Sequence, residues 1–154
     1  MKTKHIFALY GTGNVGKSTT IRKVFALLKE AYPTAHIQII NPLGIEITVT
    51  IQVEITVTIE IDGTSVGIES QGDPNSRLPE SLELFKKNNC SIIVCATRTR
   101  GQTVNAVKKL QEELGAKLVW HQKTSQPQEN LREQHDSAVA KIIFKQIQNA
   151  LTTP

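Results

Sequence analysis

Three glycines, a lysine and a serine crowd one short stretch near the start of the chain, Gly11-Thr12-Gly13-Asn14-Val15-Gly16-Lys17-Ser18-Thr19. Glycine reaches positive φ without steric cost, so such a loop can turn successive backbone N–H groups inward. A helix opening at Lys17 would add its partial positive charge at the same point. That cradle suits a polyphosphate, with the Lys17 ammonium on the β and γ phosphates and the Ser18 hydroxyl on a Mg²⁺ that bridges the same oxygens. A bulky side chain at Gly16 should block the approach.

The elements that must hold this loop are legible on either side of it. Ile6 to Tyr10 is a short apolar run, and from Lys17 onward Ile21, Val24, Phe25 and Leu28 recur at helical spacing, so a strand feeds the loop and a helix leaves it. In that context Gly11 to Ser18 matches the Walker A pattern at every fixed position. On these residues the chain resembles the P-loop NTPase superfamily, and the resemblance implies nucleotide binding over most of residues 4–121. The spacing GNVGKST at 13–19 looks more like small GTPases and P-loop kinases, since Thr12 occupies the place of a second signature lysine used by other branches.

An enzyme of that type needs an acid at the end of a neighbouring strand to hold the magnesium waters. Glu69 with Gly72 resembles a DxxG motif with glutamate for aspartate, and Asp73 beside Gly72 is the alternative. Both are candidate catalytic and metal residues with Lys17 and Ser18; each has a plain structural alternative as a strand-end or turn residue. Gln71 has the side chain to orient an attacking water, but it precedes the glycine where small GTPases place a glutamine after it, which argues against that role. Thr97-Arg98-Thr99-Arg100-Gly101 stands where small GTPases read guanine, but an arginine has no acceptor for guanine's N–H groups. ATP is therefore expected over GTP, with Arg98, Arg100 and Arg77 as phosphate or base contacts.

The rest of the chain alternates strands with helices. Pro33 closes the first helix, and His36 to Ile40 reads as a strand. From Ile45 to Ile61 every odd position is Ile or Val and every even one Glu, Thr or Gln, with EITVTIQV at 46–53 followed by EITVTIEI at 54–61. A straight strand of that length would span roughly 56 Å, against a radius of gyration of about 15 Å for a domain this size. It must bend, project or be shared, and a homodimer paired through 45–61 is expected. Asp62-Gly63 then marks a two-residue hairpin into Thr64 to Ser70. A helix opens near Pro79, Ser91 to Ala96 is a buried strand, Gln102 to Leu114 a helix capped by Gly115, Lys117 to His121 a fifth core strand, and a last amphipathic helix runs from near Ala138 to Leu151.

The implied architecture is α/β: one domain over 1–154, a three-layer α/β/α sandwich with a mainly parallel sheet, carrying an antiparallel hairpin extension over residues 45–70. A net charge of +4 dispersed over several segments gives no reason to expect nucleic acid. Cys90 and Cys95 read as buried thiols, and the absence of a long apolar stretch argues against a membrane span and for a cytoplasmic protein. Three functions fit: an ATPase or switch, a kinase acting on a small-molecule acceptor, or a non-catalytic nucleotide-binding module.

Overall fold

The apolar run before the glycine loop forms β1 (His5–Tyr10), and the helical spacing after it forms α1 (Lys17–Ala31). In the computed structural model, which describes residues 2–43 and 53–154, these are followed by β2 (His36–Asn41), β3 (Thr56–Ile61), β4 (Thr64–Glu69), α2 (Leu78–Lys87), β5 (Ile92–Thr97), α3 (Gln102–Leu114), β6 (Lys117–Gln122) and α4 (Glu129–Leu151). The strands make one sheet in the order β2-β3-β4-β5-β1-β6. β1 pairs in parallel with β5 and β6, and β4 with β5, while β2-β3 and β3-β4 are antiparallel.

β1 has the position the loop requires. Its register runs from His5 opposite Ile92 and Lys117 to Tyr10 opposite Thr97 and Gln122, so three parallel strands release their following loops at one level. Ligands of open α/β sheets bind at such carboxyl ends. β5 is buried at every position, as a strand apolar on both faces must be, and that drives it into the centre of the sheet. It therefore separates β1 from β4, and the strand that ends in Glu69 is not the neighbour of the glycine-loop strand that the sequence led us to expect. β6, expected in the core, is an edge strand with half-buried residues.

Alternate residues of β1 point to opposite faces, and each face has its own core. Phe7 and Leu9 pack with Ile21, Phe25 and Leu28 of α1 and Ile143 and Ile147 of α4. Ile6 and Ala8 pack with Leu78, Leu82 and Phe85 of α2 and Val107 and Leu110 of α3. This is an α/β fold built on a six-stranded, mostly parallel sheet with a helix pair against each face. Cys90 and Cys95 lie in the second core as free thiols, and burial raises them to about 11 and about 12 respectively.

The hairpin turns at Asp62-Gly63 with β3 and β4 in register from Thr56 opposite Glu69 to Ile61 opposite Thr64. It is an integral part of the sheet and not an extension from it. Over 56–61 both edges of β3 are taken, by β2 and β4, so this part offers no free edge for a second copy. Residues 45–52 of the long alternating run, which hold most of the first repeat, lie outside the described residues. Among the described residues no helix is long and apolar enough to cross a membrane.

Gly67 shows how tightly α2 is seated on the sheet, because a Cβ there would lie 2.5 Å from the Phe85 ring. Gly67→Ala should therefore cost about 1–3 kcal/mol, the range for overpacking a filled core. Thermal or denaturant unfolding will read the loss, and a coupled Gly67→Ala/Phe85→Leu protein should recover part of it.

Candidate functional site

The glycine loop closes through two left-handed residues, Asn14 (φ 60) and Gly16 (φ 96, ψ 19), the second of which caps α1. Gly16 has no room for a side chain: an added Cβ would stand 2.6 Å from Asp136 Oδ1. Lys17, the first residue of α1, is buried and donates its ammonium protons to the carbonyls of Gly11 and Thr12 (2.9 Å). Burial, reinforced by the Arg98 charge and partly opposed by Asp73, holds its pKa down at about 8. The ammonium thus rests on its own loop beneath the open face.

The residues picked from sequence divide into two groups. Asp73 lies close enough to Lys17 to act on it electrostatically and accepts a hydrogen bond on Oδ1 from Arg98 Nε at 3.1 Å, with Nη2 of the same ion pair also 3.1 Å away. The Arg98 guanidinium in turn lies against the loop, since a Cβ on Gly13 would come within 3.0 Å of Nη2. Arg98 and Asp73 therefore belong to the loop. Glu69 does not: it is fully buried and saturated, with Oε1 accepting from Thr56, Ser81 and Arg77 (3.0 Å) and Oε2 from the Gln71 N–H (2.9 Å). Arg77 is spent on Glu69, and Arg100 is exposed.

Three residues that sequence reasoning passed over are central. Glu54, just ahead of β3, accepts the Ser18 hydroxyl proton on Oε2 at 2.8 Å, while its Oε1 meets Arg22 and the Ser70 hydroxyl (3.0 Å). Lys123, one residue past β6, sends its ammonium under the loop to the Val15 carbonyl (2.8 Å), His135 Nδ1 (2.9 Å), Thr124 O (3.2 Å) and Asp136 Oδ1 (2.7 Å). Its partner Asp136 on α4 is the carboxylate that fills the space beside Gly16. Glu54 had looked like one more polar tooth of the alternating strand, and only the in-register pairing of β6 with β1 brings Lys123 to the loop.

The loop opens into a cavity of about 520 Å³ lined by Asn14 to Thr19, Glu54, Asp73, Lys123 and Asp136, with Ser125, Gln126 and Arg132 on the far side. Its wall supplies backbone N–H groups at a helix start, two ammonium groups, one guanidinium, three hydroxyls and three carboxylates. Such groups have the chemistry to meet an anion along the loop and a hard cation beside it; among the described residues no cluster of three or more acidic, histidine or cysteine side chains gathers there to hold a metal unaided.

No family model matches the chain, and no curated protein matches it. Among solved structures the chain is similar to the crystal structure of APE1195, at 15% identity over 100% of this chain and 79% of that chain, with a TM-score of 0.40. A likeness that slight carries no argument about fold or function.

Two outcomes follow from this geometry. The Lys123 and Asp136 side chains are only 1% and 10% exposed, so Asp136→Ala strands a buried ammonium and should cost about 3–5 kcal/mol in denaturant unfolding, with Asp136→Asn costing less. For Lys17 the sign is set by a pKa of about 8 in the free protein. A bound polyphosphate favours the charged form, so binding must take up a proton above that pH. Affinity for inorganic triphosphate should fall as pH rises through about 8, and calorimetry in buffers of different ionisation enthalpy will detect the proton uptake.

Proposed function

We propose that the chain is a small P-loop NTPase that binds ATP with magnesium at Gly11–Thr19 and hydrolyses it. The observation that carries this reading is the left-handed glycine loop between β1 and α1, with Lys17 and Ser18 at the mouth of a cavity of polyphosphate-binding character. The loop N–H groups and the α1 N-terminus bind the phosphate oxygens. Lys17 exchanges its loop carbonyls for β and γ oxygens, a swap of neutral acceptors for charged ones that favours the bound state.

Magnesium fits the donor set in that Ser18 offers a hydroxyl beside the Glu54 carboxylate; when bound it would neutralise charge on the β and γ oxygens. In hydrolysis a water oxygen forms a bond to the γ phosphorus, the bond to the β–γ bridging oxygen breaks, and ADP leaves. Asp73, on the cavity wall, accepts the water's proton, and Arg98 meets charge on the γ-phosphoryl group from the Gly13 side. ATP is preferred over GTP, because the segment 97–101 offers no carboxylate to accept guanine's N–H groups.

One observation favours transfer to a small acceptor instead. A second cavity, about 670 Å³, shares Thr19, Arg132 and Asp136 with the first and adds Arg22, Lys23, Glu129 and Glu133. A kinase would hold its acceptor there.

Lys17→Ala should lower phosphate release from ATP about 10²–10³-fold, as loss of a charge-stabilising donor does, and should weaken ATP binding in titration. Equal ATP binding by Lys17→Ala and the parent protein, or none by either, overturns the proposal. ATP loss that appears only when an acceptor is added selects the kinase reading, and tighter binding of GTP than ATP refutes the base assignment.

A further inference from the structure

Resting on the nucleotide reading above, we infer that Glu54 is the carboxylate of the magnesium site, the role for which Asp73 and Glu69 were the candidates. Its contact with Ser18 is direct. The Ser18 hydroxyl has one proton and two acceptors facing it, Glu54 Oε2 at 2.8 Å and the Ser70 carbonyl at 3.0 Å; donation to the nearer, charged Glu54 leaves the oxygen's lone pairs for a cation on the cavity side. A serine that is to ligate a metal needs such a proton acceptor, because a hydroxyl that spends its lone pairs on donors has none to give.

The other acids do not meet this requirement. Glu69 has its oxygens committed to Thr56, Ser81, Arg77 and the Gln71 N–H, is fully buried, and is absent from the cavity wall. Asp73 lines the cavity, but its Oδ1 turns to Arg98, and the Ser18 hydroxyl meets Glu54 and the Ser70 carbonyl instead. Asp136 is held by Lys123 beneath Gly16. Glu54 lines the cavity, touches Ser18, and is fixed from behind by Arg22 and the Ser70 hydroxyl on Oε1. Ligand-orienting contacts of that kind are what keep a metal-site carboxylate in place. The acid thus reaches the site from the hairpin side of the sheet, along β3, and not from the end of β4.

The test measures the affinity of ADP and of a non-hydrolysable ATP analogue with Mg²⁺ and with EDTA. In the parent protein Mg²⁺ strengthens binding. Glu54→Gln should lose about 10- to 100-fold of that gain while its affinity in EDTA stays near the parent's, and Glu54→Asp should recover part. Asp73→Asn should keep the gain. If Glu54→Gln keeps it, or Asp73→Asn loses it, the assignment is wrong although nucleotide binding stands; if the parent protein binds no nucleotide, the underlying reading falls as well. A second readout needs no variant: Fe²⁺ in place of Mg²⁺, with ADP, ascorbate and peroxide, should cleave the backbone of the parent protein beside residues 18 and 54. Cleavage beside 73 and not 54 overturns the assignment.

Discussion

One ammonium group, Lys123 Nζ, joins three segments that are far apart in the chain. It reaches from the end of β6 to the Val15 carbonyl in the glycine loop and to Asp136 and His135 on α4. An ammonium can only donate, so His135 must present Nδ1 as an acceptor, and the loop must keep the Val15 carbonyl turned inward. Turning that carbonyl in leaves Gly16 to reverse the chain at positive φ, against the Asp136 carboxylate. The desolvation of the ion pair is offset only while every partner stays in place. The loop's shape is thereby fixed from underneath before any ligand arrives.

Glu69 plays a corresponding part on the opposite face. It gathers a hydroxyl from β3, another from α2, the Arg77 guanidinium and a backbone N–H past the end of β4. A fully buried carboxylate needs such a set of donors, and meeting that need ties α2 to the hairpin. Cavity chemistry and scaffold chemistry are therefore divided between neighbouring residues: Glu69 holds α2 to the hairpin, and Ser70, the next residue, meets Glu54.

Local pattern made most elements legible. The glycine loop, the helix over 102–114 with its left-handed Gly115 cap, and the Asp62-Gly63 hairpin lie where turn chemistry and periodicity put them. Strand order was not legible, since pairing between strands distant in sequence leaves no local signature; β5 entering between β1 and β4 is decided by its two apolar faces competing for burial. The same gap hid Lys123 and Asp136, which meet the loop only through that order. Glu54 was hidden for another reason: it shares the polar phase of β3 with Thr56, Thr58 and Glu60, and nothing local distinguishes the one that meets Ser18. Arg98, singled out as a phosphate or base contact, comes against the glycine loop because it follows β5, a strand parallel to β1.

The two thiols on the α2 and α3 side have a bearing on how the fold can be watched. Cys95 sits between apolar layers with its proton held tightly, Cys90 nearly so, and only a thiolate in contact with solvent reacts with alkylating or oxidising agents. Sulfur chemistry at neutral pH must then wait for the helices to lift from the sheet. The labelling rate of each cysteine becomes a clock for that opening, read on the native chain without an added reporter, and on the face away from the cavity so that the reagent leaves the loop untouched.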